Sequence, residues 1–166
     1  EPEETQRHWL TLLETGVLPC PPANEALPSY MVDDAWFTLV RHSREQDGQN
    51  WYAAYMEGLF HISRGSYFEA EACFKASQRL TPTCWSLYGL AVCRYAQQDI
   101  QGGIPYILEA MNRNPGNISL ARDACRFLQE CEQYASIVEK YAAMPPELQQ
   151  DGKLKFYLAN AYAHLG

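Results

Sequence analysis

Basic residues are scarce in this chain: 13 Lys and Arg stand against 20 Asp and Glu in 166 residues, a formal charge of −7. Binding through a phosphate backbone or to an anionic membrane surface needs a basic patch, so neither nucleic acid nor a membrane is an expected partner. No run of about 18 uncharged apolar residues occurs, which excludes a spanning helix of the usual kind. CxxC is missing too, and His8, His42, His61 and His164 stand far from any cysteine pair with zinc-like spacing. No metal site can therefore be assembled from sequence neighbours, and no cofactor is expected. Disorder is excluded from the opposite side, because 47% of the residues are apolar and 13% aromatic. The length suits one domain with its own core.

Six cysteines are present, Cys20, Cys73, Cys84, Cys93, Cys125 and Cys131. Most fall inside apolar helical stretches, so they read as small buried thiols rather than a disulfide set. The chain opens on Glu1 and stops at Gly166 directly after a helical pattern. It reads as a fragment of a longer protein, with the cytoplasm as the expected compartment.

Comparing the chain with itself gives a period of about 33 to 34 residues. A first copy starts at Trp51 and carries Gly58, Gly65, Ala70, Phe74 and Pro82; a second starts at Cys84 and carries Ala91, Gly103, Ile107, Ala110 and Pro115. A small residue midway along one helix lets a second helix cross closely, a bulky residue on that second helix fills the space, and Pro ends it. The spacing predicts helices over 51–64, 67–80, 84–97, 100–112, 118–130, 133–143 and 152–165. In the third pair Ser136 and Lys140 stand where earlier copies have small and bulky apolar residues, so looser packing is expected there. Residues 152–165 form the first half of a fourth copy, without its partner helix. Ahead of the repeats, two helices over 3–15 and 32–45, joined by a Pro-rich stretch over 18–29, are expected to cap the array. The domain reading is thus 1–49 for the capping part and 50–166 for the repeats, divided at about 50–83, 84–116, 117–148 and 152–166.

These residues, with Leu158, Ala159, Tyr162, Leu165 and Gly166 in the last copy, resemble tetratricopeptide repeats (TPR) over roughly residues 50–166. The departures are His61 and Arg94 in place of Tyr, Gly103 in place of Ala, and the weakly matched third copy. The resemblance implies an all-α, right-handed solenoid of antiparallel helix pairs that binds a peptide, or a neighbouring domain of the same protein, in a groove lined by the first helix of each pair. Carried over position by position, that groove comprises Tyr52, Tyr55, Leu59 and Ile62, then Trp85, Tyr88, Val92 and Tyr95, then Lys153, Phe156 and Asn160. Tyr and Trp are favoured interface anchors, because they supply large contact area at little rotamer cost. The competing reading makes about half of these rings inter-helix core. Lys153 and Asn160 alone do not make the clamp with which co-chaperone repeats hold a terminal carboxylate.

A narrower resemblance rests on His8-Trp9, Leu12-Leu13, Gly16, Leu18-Pro19, Trp36, Asn50-Trp51-Tyr52-Ala53, Ser77, Pro82, Trp85 and Leu90-Ala91. In this order they look like the C-terminal helical region of large bacterial proteins of unknown function with a β-rich N-terminal part. That resemblance implies an accessory role beside carbohydrate-active enzymes as an alternative to protein binding. A third reading pairs two copies through the apolar face of the last helix, as a homodimer.

No catalytic set is visible, and an enzyme is not expected. The acidic runs 1–4 and 69–71 read as solvated faces. The carboxylates flanking Cys131 raise its pKa and blunt it as a nucleophile. His61 reads as a packed structural imidazole, and Asn117 in Asn117-Ile118-Ser119 as a helix cap rather than a glycan acceptor.

Overall fold

The computed structural model describes residues 6–23 and 25–166, and among them it is all-helical, with ten helices and no strand. The calls on residues 1–5, the acidic run 1–4 and the first turns of the N-terminal helix, lie outside the described residues. The helices are α1 (Arg7–Thr15), α2 (Asp34–Gln46), α3 (Trp51–Ser63), α4 (Tyr67–Leu80), α5 (Cys84–Ala96), α6 (Ile100–Arg113), α7 (Ile118–Glu130), α8 (Tyr134–Ala143), α9 (Pro146–Gln149) and α10 (Gly152–Leu165). The spacing places all of them to within a few residues except α9, a single turn started by Pro146.

The period is written into the helix ends. Asn50, Thr83, Asn117 and Asp151 begin α3, α5, α7 and α10, and each side chain accepts a backbone N–H three residues on, from Ala53, Ser86, Leu120 and Leu154. Such a cap satisfies one of the four amides that a helix start leaves without a partner. Asn117 is thus the cap of α7.

The hairpin turns repeat as faithfully. Gly65, Gln98 and Glu132 all adopt left-handed backbone, at φ 72°, 64° and 57°. In each turn the following amide reaches back to the helix, Ser66 to His61, Asp99 to Arg94 and Gln133 to Leu128. Only the first copy uses glycine here. A left-handed conformation costs an L-residue about 1–2 kcal/mol, and glycine's extra chain entropy offsets about half of that. Gln98→Gly is therefore expected to raise stability by about 0.5 kcal/mol, checked by urea unfolding, whereas Gly65→Gln lowers it.

Neighbours in sequence are neighbours in space: α2 packs on α3, α3 on α4, α4 on α5, α5 on α6 and α6 on α7. The second helix of each of the first two pairs fills the space its partner leaves. Ala70 and Phe74 of α4, and Gly103 and Ile107 of α6, are all buried. A Cβ on Gly103 would stand 3.2 Å from the Ala91 carbonyl oxygen, so the backbones of α5 and α6 cross in close contact there.

The third pair is more open. Ser136 and Lys140 are only half-buried, and α8 meets α10 more extensively than it meets α7. A cavity of about 180 Å³ lies beside this opening, walled by Met111, Leu120, Ala121, Lys140 and Met144 among others. Helix α10 buries Leu154, Tyr157 and Ala161 against α7 and α8 and leaves Phe156, Tyr162 and Leu165 exposed.

At the N-terminal end Trp9, Leu12, Leu18 and Val40 share a core with Trp51, Tyr52 and Met56. The buried Leu18 backbone is held on both sides: its N–H donates to Ser43 Oγ and its carbonyl accepts from Asn50 Nδ2. Asn50 thereby caps α3 with one atom and anchors the incoming chain with another.

Two expectations about polar residues need correction. Glu69 is exposed, but Glu71 is 7% exposed and not part of a solvated face. It sits between Lys75, Arg94 and Gln97, all of which donate to its carboxylate. Four of the cysteines are buried and all six are free thiols, but Cys20 is exposed and Cys73 only half-buried.

Candidate functional site

Residues of α3, of α5 and of the start of α7 wall one cavity, and the aromatic residues of the sequence reading divide into three groups around it. Tyr52 belongs to the core: it is 0% exposed, and its ring stacks on Tyr55 at 6.3 Å. A ring without accessible surface offers nothing to a partner, so Tyr52 leaves the set of contact residues. Two residues after the cap, it turns inward against α1, where it meets His8 edge-on.

Tyr55, Leu59 and Trp85 form the second group. All three are half-buried and pack against one hydrophobic cluster. The same cluster takes up Leu27 and Met31 from the Pro-rich connection. Residues 26–32 are neither helix nor strand, as Pro28 demands of itself and of Leu27 before it. Trp9 Nε1 donates to the Ser29 carbonyl at 2.8 Å and ties this segment down. A cavity of about 380 Å³ lies between segment and helices, with Pro28, Tyr30, Tyr55, Leu59, Trp85 and Ser119 in its walls. Among the described residues the buried indole N–H of Trp85 has no hydrogen-bond partner.

The third group is more open to solvent on average. Tyr95 is 37% exposed, with its ring 5.5 Å from Phe127 of α7. Tyr88 is half-buried, with the Arg126 side chain of α7 acting on its hydroxyl. Burial pushes the phenols of Tyr55 and Tyr88 up, so both stay neutral and keep a proton to donate. Farther along, Phe156 is 62% exposed on α10 and Asn160 Nδ2 donates to Gln129 of α7. Asn160 is thus engaged in holding two helices together. Lys153 is exposed on the first turn of α10.

The structure therefore brings Tyr55, Leu59 and Trp85 together under the chain's own Pro-rich segment, with Tyr88 and Tyr95 beyond it and Phe156 apart. Sequence reasoning left Leu27, Pro28 and Tyr30 as a connection. Its prolines excluded a helix there, but nothing local showed where the segment lies.

The other chemically capable groups are held quiet. Burial pushes the Cys93 and Cys125 thiols up to about 12, and burial followed by the neighbouring Glu57 carboxylate pushes Cys73 up to about 11. Cys131 also stands above its ordinary value, through burial first and Glu130 second. Thiols so shifted remain protonated near neutrality and are poor nucleophiles. His61 packs edge-on against the stacked rings of Phe37 and Phe60. Among the described residues no three His, Cys, Asp or Glu side chains converge as a metal site, and no helix is long and apolar enough to cross a membrane. No protein-family model matches the chain, and no curated protein matches it.

Proposed function

We propose that this chain is a TPR-like, right-handed solenoid that acts without chemistry of its own, holding a peptide or a neighbouring domain on the concave face formed by α3, α5 and α7. One observation supports this reading above the rest: an extended, proline-containing segment of the chain itself already lies on Tyr55, Leu59 and Trp85. A surface that takes its own backbone in extended form has the shape and chemistry for another. The half-buried Tyr88 and the exposed Tyr95 continue it, and large amphipathic rings concentrate binding energy in such contacts.

The test uses peptides selected on the wild-type protein from a random display library. In the double variant Tyr88→Ala/Tyr95→Ala their affinity is expected to fall by about 30-fold, which corresponds to about 2 kcal/mol for the loss of a hot spot, while far-UV circular dichroism stays unchanged. Unchanged affinity would end this reading. Oligosaccharides titrated in parallel address the glycan alternative, for which heat should appear with sugars and not with peptides.

A further inference from the structure

Segment 27–31 is more than a connection. Its backbone makes no helix or sheet bonds, its Leu27 and Met31 side chains pack into the cluster that holds Tyr55, Leu59 and Trp85, and the Ser29 carbonyl is read by an indole N–H, that of Trp9. Aromatic grooves that recognise proline-rich ligands work in this way: the preset extended backbone loses little entropy, Pro brings no N–H that would go unsatisfied on a ring, and indole or phenol donors take the carbonyls. Beside the segment lies the 380 Å³ cavity, with Trp85 in its wall.

Building on the peptide-binding reading above, we propose that segment 27–31 is a resident ligand occupying the partner's place. The partner that displaces it is then an extended peptide with a Leu-Pro pair that packs on Tyr55, Leu59 and Trp85 as the segment does. Displacement is feasible because Ala26 and Tyr30 are exposed and the residues flanking the segment in sequence are loop rather than helix. As a tethered competitor it acts at an effective concentration on the order of millimolar, so it weakens every incoming peptide until it is loosened.

The probe is a synthetic peptide with the sequence of residues 25–32, titrated calorimetrically into the wild-type chain and into Leu27→Gly/Pro28→Gly, which frees the tether. The loosened variant is expected to bind at least tenfold more tightly than wild type. A peptide in which the proline is replaced by Ala should bind that variant at least fivefold more weakly. A second measurement does not depend on the variant's folding: at millimolar unlabelled peptide, the amide resonances of segment 27–31 in the isotope-labelled wild-type protein should shift towards those of a released chain. Equal affinity for the wild-type and loosened chains, or segment resonances that stay put, overturns the proposal. So does a dimer seen by light scattering that dissociates when the segment is loosened, since the segment would then be exchanged between copies. If the proposal fails while Tyr88→Ala/Tyr95→Ala still loses the display-selected peptides, only the resident-ligand idea falls.

Discussion

Phe74→Ala is expected to lower stability by about 4 kcal/mol, a drop in melting temperature of roughly 8–16 °C for a chain of this length. The ring is fully buried on α4 and fills the space between α3 and α5. Both of those helices carry a glycine against it. A Cβ on Gly58 would stand 2.6 Å from Cε1 of the ring, and one on Gly89 would stand 2.7 Å from Cε2. These atoms are opposite edges of the same ring, so it cannot retreat from one helix without striking the other. Gly89→Ala is accordingly expected to cost about 2 kcal/mol through overpacking, despite a gain of up to about 1 kcal/mol in helix propensity. In the Phe74→Ala background the same change should be neutral or stabilising, because the added methyl enters vacated space. Urea unfolding of the two single variants and the double variant measures this coupling. Gly116→Ala, whose Cβ would meet nothing within 4 Å, serves as the control. Greater stability for Gly89→Ala than for wild type would contradict the sandwich.

The second large effect concerns the buried carboxylate of Glu71. Burial on its own would raise its pKa, but hydrogen bonds from Lys75 and Gln97 and the charges of Arg94 and Lys75 outweigh that and hold it below its ordinary value. Arg94 reaches Glu71 with one guanidinium nitrogen, at 2.6 Å, and Asp99, the cap of α6, with another, at 2.8 Å. One side chain of α5 thus fastens α4 on one side and the start of α6 on the other. Arg94→Met is expected to cost about 2 kcal/mol at pH 7, less than the full penalty for orphaning a buried charge, because Lys75 remains and Arg94 is partly exposed. The sign of the pH dependence follows from the lowered value: Glu71 contributes stability that is present above the unfolded carboxylate pKa, about 4.3, and is lost as pH falls through the folded value. The difference between wild type and Arg94→Met should therefore narrow between pH 5 and pH 3. Urea midpoints across that range test it, and a gap that widened on acidification would contradict the assignment. Glu71→Leu combined with Arg94→Met should recover part of the loss, since no charge is then left without a partner.

Both effects also show which parts of the structure could be read in one dimension. Gly58 and Phe74 stand out in the sequence because they recur with the period and because a small residue facing a large one is a local rule of helix crossing. Gly89 does not, since the residue one period after Gly58 is Ala91, and only the packing of α5 brings Gly89 to the ring. Glu71 looked like its exposed neighbour Glu69 for the same reason. Which carboxylate of an acidic run is buried depends on an arginine 23 residues away.

The candidate site follows this division. The sequence by itself determined that the chain is helical, where the helices begin and turn back, and that aromatic residues recur along the first helix of each pair. Helical period, side-chain caps and proline act within a few residues, so they are legible locally. Only the tertiary structure decided that Tyr52 is core, that Asn160 is spent on Gln129, and that segment 27–31 covers Tyr55 and Trp85 while Tyr88 and Tyr95 lie beyond it. Those outcomes depend on contacts between residues 20 to 60 positions apart, made when apolar surface is removed from water, and burial of that kind has no signature in the spacing of nearby residues.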